Sequence, residues 1–161
     1  MSVLTEPYAP CDHESRCGWE GHNSRLTMLF CILWTLPNTI FGLALGVIGL
    51  VTGGSAKRFG RVLEFWGGIW QTLLSRFPLP GGIEAITFGH VVLYRSAQSR
   101  QKLRAHELVH VAQYERWGPL FIPAYLLASS VALLRGKNPY ADNAFEAEAF
   151  RQAPSPWQTQ G

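Results

Sequence analysis

Two histidines and a glutamate in the middle of the chain have the spacing of a metal site. His106 and His110 are four positions apart, and Glu107 directly follows the first histidine. Residues four apart lie on one face of an α-helix, so both imidazoles could bind one Zn²⁺ at about 2.0–2.1 Å. Glu107 could then act as general base toward a water polarised by the metal. The motif predicts a zinc-dependent hydrolase.

A catalytic zinc site of this type needs a third protein ligand, and no histidine follows His110. The downstream carboxylates are Asp142, Glu146 and Glu148. Glu146 and Glu148 are two positions apart, so on a helix they point to nearly opposite sides and only one can bind. We favour Glu146, because its apolar helix neighbours would bury that face toward the core.

Other polar residues near the motif have open roles. Gln113, three positions after His110, could hydrogen-bond a metal ligand or the substrate, and Tyr114 is a candidate for stabilising an oxyanion. Glu146 has a second interpretation, because Asn143 three residues earlier could begin a capping box without any metal. The helix that Asn143 would cap extends to about residue 152.

The elements around the motif are indicated by turn and stop signals. Leu103–Trp117 predicts one helix, ended by Gly118 and Pro119. The β-branched and aromatic segment Ile83–Tyr94 predicts a short edge strand or hairpin before that helix. This strand could hold an extended peptide substrate by strand addition. His90, within it, is more often a buried histidine with satisfied hydrogen bonds than a metal ligand.

Several apolar segments indicate contact with a lipid bilayer. Leu26–Thr52 has no charged residue and is long enough to cross the hydrocarbon layer. Pro37 and Asn38 in its middle leave two alternatives, a kinked transmembrane span or a re-entrant hairpin. Val62–Phe77 predicts an interfacial or packing helix, and Leu120–Leu134 a shorter membrane-dipping helix.

Composition supports a membrane protein and excludes a nucleic-acid partner. Only 16% of residues are charged whereas 47% are apolar. The net charge of +3 comes without a basic stripe that could follow a phosphate backbone. Basic residues outnumber acidic ones after residue 52 and not before it, which places the HExxH region on the cytoplasmic side of a bacterial inner membrane.

The chain is predicted to form one α+β, mostly helical domain. Residues 1–25 form a polar flexible tail, 26–52 the membrane anchor, 53–152 the domain with the HExxH helix, and 153–161 a disordered tail. The three cysteines allow at most one intramolecular disulfide, between Cys11 and Cys17. A metal site around Cys11, His13 and Cys17 is a weaker alternative, since it lacks paired ligand spacing.

Four sequence pieces carry a resemblance to a known family: LPNT, ITFGHVVL, RAHELVHVAQYERWGPLF and NPYADNAFEAEA. They lie within the segment from Leu36 to Phe150, which resembles a family of small, uncharacterised bacterial membrane proteins with a zincin-like motif. The chain is more distantly similar to gluzincin peptidases. That similarity implies a membrane-linked metallopeptidase fold with Glu146 as third ligand. Phe150 stands where those enzymes keep an aspartate or asparagine.

These features predict a membrane-associated zinc metallopeptidase that hydrolyses a peptide or protein substrate. The rival hypothesis is a non-catalytic integral membrane protein in which the HExxH site is structural or vestigial. A third possibility is a latent protease that needs a membrane partner protein.

Overall fold

The structure is a computed structural model that describes residues 25–78 and 82–153. Predictions for the two tails, including the Cys11–Cys17 disulfide and the alternative metal site, lie outside the described residues. The elements are α1 (Arg25–Val51), β1 (Gly54–Phe59), β2 (Val62–Gly67), α2 (Ile69–Ser75), β3 (Ala85–Phe88), β4 (Val91–Tyr94), α3 (Ala97–Trp117), α4 (Phe121–Leu134) and α5 (Ala144–Gln152). The predicted α+β class with mostly helical content is confirmed.

A small mixed sheet separates two helical layers. Its strand order is β1-β2-β4-β3, with β2 parallel to β4 and the other two pairs antiparallel. Because side chains alternate along a strand, β4 sends Val92 and Tyr94 into the core on the α3 side. Val91 and Leu93 pack into the core on the α1 side. Both faces of the central strands are therefore buried.

Helix α1 contacts all four strands with a face rich in glycine. A Cβ added at Gly42 would meet the side chains of Phe88 and Val91 at 2.8 Å, and one at Gly46 would meet Phe65 at 2.6 Å. The small residues thus let the helix backbone approach the sheet. Substituting larger residues here would separate α1 from the sheet.

The polar residues inside α1 find partners in the rest of the domain. The helix continues through Pro37, so the hairpin alternative is wrong. The amide of Asn38 donates to the carbonyl of Gly118, 3.1 Å away. Thr39 accepts from the backbone N–H of His90. These contacts attach α1 to the turn before β4 and to the end of α3.

One predicted element has a different form. The segment Val62–Phe77 predicts one helix, but it forms strand β2 and the short helix α2, with Gly67 and Gly68 at their junction at φ of 78° and 58°. The segment Ile83–Tyr94 takes the predicted hairpin form, in which β3 and β4 are joined by a turn at Gly89. Within this hairpin β3 is the edge strand and β4 is central.

The ends of the two helices that carry the motif follow ordinary capping chemistry. Helix α3 begins at Ala97, six residues before the predicted start, because Ser96 accepts a hydrogen bond from the backbone N–H of Ser99. It ends at Trp117, as predicted, and is capped by Gly118, whose φ is 55°. Asn143 caps α5 by accepting from the N–H of Phe145, which confirms that cap.

By length and composition, two helical segments are apolar enough to cross a membrane: Leu26–Val51 and Ala97–Leu134. The first corresponds to the predicted anchor. The second joins α3 and α4 through the 3₁₀ turn Gly118–Leu120.

Candidate metal centre

Helices α3 and α5 bring two imidazoles and one carboxylate together. His106 and His110 face the same side of α3, and their Nε2 atoms lie 3.2 Å apart. A carboxylate oxygen of Glu146 lies 3.2 Å from the Nε2 of His106, and the other lies 3.4 Å from the Nε2 of His110. All three residues are buried, with at most 7% of their surface exposed. We call His106, His110 and Glu146 the triad.

The spacing within the triad fits one tetrahedral ion. At metal–ligand distances of about 2.0–2.1 Å, two ligand atoms of a tetrahedral zinc site are separated by roughly 3.3–3.4 Å. The triad separations of 3.2–3.4 Å are close to this value. Two imidazole nitrogens and a carboxylate oxygen are also a donor set that Zn²⁺ accepts. These residues could therefore hold a zinc ion without large side-chain movement.

Gln113 determines which nitrogen of His110 can bind a metal. Its amide nitrogen donates to the carbonyl of Phe145 and to the carboxylate of Glu148, both at 2.9 Å. Both of these groups only accept, so the amide oxygen must face the Nδ1 of His110, 2.8 Å away. Nδ1 therefore carries a proton and Nε2 offers the lone pair. The predicted contact between Gln113 and a ligand histidine is present.

Glu148 is turned away from the triad. Its carboxylate accepts hydrogen bonds from Gln113 and from the guanidinium of Arg116 at 2.9–3.0 Å. Partial burial raises the pKa of Glu148, but these hydrogen bonds outweigh burial and leave the pKa below its usual value. Of the two candidate third ligands, only Glu146 lies beside the histidines.

The carboxylate of Glu146 is held ionised by the groups around it. Burial raises its pKa, but the adjacent imidazoles of His106 and His110 and the hydroxyl of Tyr125 outweigh burial and bring the pKa of Glu146 well below its usual range. The hydroxyl of Tyr125 donates to Oε1 at 2.8 Å. The capping-box alternative is not formed, because the backbone N–H of Asn143 donates to a carbonyl, that of Tyr140.

Largely buried carboxylates in this protein are of two kinds. Glu64 pairs with two arginines, and Glu115 pairs with Arg61. Within residues 25–78 and 82–153, neither Glu107 nor Glu146 has a lysine or arginine at salt-bridge distance. Buried charges are normally paired or bound to a metal. The two unpaired carboxylates both belong to the HExxH region, where a divalent cation would balance their charge.

Glu107 is fixed by a residue of the neighbouring strand. Its side chain is buried, and its Oε2 accepts a hydrogen bond of 2.7 Å from the hydroxyl of Thr87 on β3. Because β3 is an edge strand beside α3, this contact ties the carboxylate to the free edge of the sheet. Sequence reasoning did not single out Thr87, since its role depends on the register of the hairpin.

The support around His106 is poorer than that around His110. The ring of Phe150 packs against His106 with centroids 4.7 Å apart. The buried Nδ1 of His106 has no hydrogen-bond partner among the described residues. An acidic or amide side chain at position 150 could supply that partner; the phenylalanine cannot.

The tyrosine hydroxyl that donates to Glu146 at 2.8 Å belongs to Tyr125 and not to Tyr114. Tyr114 is buried and packs its ring on Phe121, with centroids 4.2 Å apart. The hydrogen bond to Glu146 comes from Tyr125 on α4. Tyr125 lies in the apolar segment after the motif, and only the packing of α4 against α5 shows its proximity to the site.

A second buried histidine, His90, takes part in a closed network. Its Nδ1 lies 2.9 Å from the hydroxyl of Thr35, and its Nε2 lies 2.8 Å from the carboxylate of Glu115. Arg61 pairs with the same carboxylate at 2.8 Å. We call Thr35, His90, Glu115 and Arg61 the His90 network. Its histidine is satisfied at both nitrogens, in agreement with the structural role predicted for it.

Comparison of the chain with protein-family models, with curated proteins and with solved structures found no match. The functional argument therefore depends on the geometry of this site.

Proposed function

We propose that this protein is a membrane-associated zinc metallopeptidase whose metal is bound by His106, His110 and Glu146. The observation that carries the proposal is the convergence of three buried side chains: the two Nε2 atoms lie 3.2 Å apart, and each is 3.2–3.4 Å from one oxygen of the Glu146 carboxylate. When bound, zinc would supply a Lewis acid that lowers the pKa of a bound water to about 7. The similarity of the motif to gluzincins supports the same function.

Glu107 is the proposed general base. Its carboxylate accepts a proton from the attacking water and returns it to the leaving amine. Thr87 keeps this carboxylate in one orientation by donating to Oε2. An extended peptide could add to the free edge of β3, which would place it beside Glu107. The substrate class is therefore a peptide or protein.

The burial of the triad favours a second candidate, a non-catalytic protein with a structural metal site. Structural zinc sites are closed, whereas catalytic ones keep one open position. Only 4% of His106 and 3% of Glu146 is exposed. A cavity of about 440 Å³ between α4 and α5 is lined by residues such as Leu127 and Phe145, and none of the triad lines it. For hydrolysis, the residues that cover the triad must move.

Glu107→Gln separates the two candidates. The substitution keeps the size of the side chain but removes its basicity, so the peptidase should retain zinc and lose at least about 100-fold of its hydrolytic rate. The measurement is cleavage of a peptide library by detergent-purified, zinc-loaded protein, read by mass spectrometry. Glu84→Gln, at a glutamate that pairs with Arg95, is the control and should remain active. Equal cleavage by wild type and Glu107→Gln, or no cleavage by wild type, would favour the structural site.

A further inference from the structure

Helix α1 has two different faces along its whole length. Exposed apolar residues recur every three or four positions, as at Leu29, Leu33, Leu36, Ile40, Val47 and Val51. The opposite face carries Thr35 and the glycines, which pack against the domain. One side of a 27-residue helix is therefore committed to protein and the other has no cover among the described residues.

The protein packed against α1 is unsuited to the interior of a bilayer. A helix that enters the hydrocarbon at Leu26 needs about 20 residues to cross it, which would place Gly42 inside. Gly42 contacts β3 and β4, so these strands would lie at the same depth. Among residues 25–78 and 82–153, β3 has a strand partner on one side only, and lipid-exposed sheet edges do not occur in the hydrocarbon region. A transbilayer orientation of α1 therefore conflicts with its own packing.

The second apolar segment, Ala97–Leu134, does not cross either. Its first half is α3, in which Arg100 and Arg104 pair with Glu64 of the sheet. Its second half, α4, has 14 residues and so reaches only about 21 Å, less than the hydrocarbon thickness.

We propose that the protein is monotopic: it binds one leaflet of the membrane, with α1 parallel to the bilayer plane and its outer face in the lipid. Helix α2 extends the same surface, because Trp70 packs on the α1 side of the sheet and donates to the carbonyl of Leu45. Its exposed Leu73 and the adjacent Phe77 are apolar. A helix at the interface keeps one apolar face in the acyl boundary. The inner face of α1 is shielded from the lipid by the sheet against which it packs.

Two exposed cations lie at this surface. Arg58 of β1, the strand directly after α1, is on the sheet face that α1 covers, because its partner Leu63 packs into the core on the α1 side, and Arg76 follows α2. Basic residues beside an apolar surface bind the anionic head groups of a leaflet. The occupant of the surface is therefore a lipid leaflet, and the chain before and after α1 stays on the same side of it.

Cysteine labelling from each side of the membrane tests this topology. The native Cys11 and Cys17 precede α1, whereas Cys31 is buried within it. In a triple variant, Cys11→Ser/Cys17→Ser/Ser55→Cys, the accessible thiol lies instead at the exposed position 55, after α1. The wild type and the triple variant are each treated with a membrane-impermeant maleimide in intact spheroplasts and in sealed inverted vesicles. The double Cys→Ser variant without Ser55→Cys gives the background.

The monotopic arrangement predicts that both thiol positions are labelled in the same preparation and protected in the other. Labelling of the two positions from opposite sides would show that α1 crosses the bilayer and would overturn the proposal. Recovery of the protein in the soluble fraction after lysis would overturn it as well. None of these outcomes depends on zinc binding or hydrolysis, so the topology and the peptidase hypothesis fail or stand separately.

Discussion

Helix α3 contributes to two buried clusters that both combine histidine with glutamate, the triad and the His90 network. In the His90 network each ring nitrogen has a partner, and Arg61 offsets the charge of Glu115. In the triad two imidazole Nε2 atoms and one carboxylate converge, and the described residues place no lysine or arginine beside that carboxylate. Buried histidine and glutamate therefore do not by themselves indicate a metal. The convergence of three potential ligands without a lysine or arginine does.

Among the variants that distinguish the two clusters, Glu115→Ala should have the largest effect, which is on the free energy of unfolding. This change leaves Arg61 and His90 without their shared partner, and breaking a buried ion pair costs about 3–5 kcal/mol. We expect the free energy of unfolding, measured by denaturant titration in detergent, to fall by that amount while zinc stays bound. Arg116→Ala, at a largely exposed pair with Glu148, should cost less than about 1 kcal/mol. A loss of zinc with stability unchanged would mean that the two clusters have been assigned the wrong roles.

A smaller effect, on zinc affinity, is expected for Gln113→Ala, because Gln113 orients His110. The substitution removes the acceptor at the Nδ1 of His110, and loss of such contacts lowers metal affinity by about 10–100-fold. Competition with a chelator measures the change. Gln101→Ala, at an exposed position of the same helix, should leave the affinity unaltered. If both variants bind zinc as wild type does, Gln113 is only a packing residue between α3 and α5.

The smallest effect, and one of opposite sign, should follow Phe150→Asn. An amide at position 150 would offer an acceptor to the unpartnered Nδ1 of His106, so zinc affinity should rise by up to about 10-fold. Phe150→Leu shortens the side chain without adding an acceptor and should show no increase. Equal affinities in the two variants would contradict the view that His106 lacks support.

More of the site than of the sheet could be predicted from the sequence, because the sequence signals for the site are local. The spacing of His106 and His110 and the cap at Asn143 fix two helix faces without reference to distant residues. The choice of Glu146 over Glu148 also follows from helix periodicity, and the structure places only Glu146 beside the histidines. Tyr125 was missed, because its contact requires α4 and α5 to pack together.

The sequences of β1 and β2 show no recognisable strand pattern. β1 reads GSAKRF and is mostly exposed, so it has no apolar alternation to detect. β2 is covered by helices on both faces, so apolar residues on either side of Glu64 fall on both faces of the strand and periodicity cannot distinguish it from a helix. Its buried Glu64 is compensated by Arg100 and Arg104 about 40 residues later in the chain. Long-range compensation of this kind is invisible to local patterns.

The zinc content of purified protein tests the central claim most directly. It is measured by elemental analysis for wild type, His110→Ala and the matched control His90→Ala. The account predicts about one zinc per chain in wild type and His90→Ala, and none in His110→Ala, because the triad is the group of three potential metal ligands found among the described residues. Equal zinc in all three proteins, or none in any of them, would contradict it.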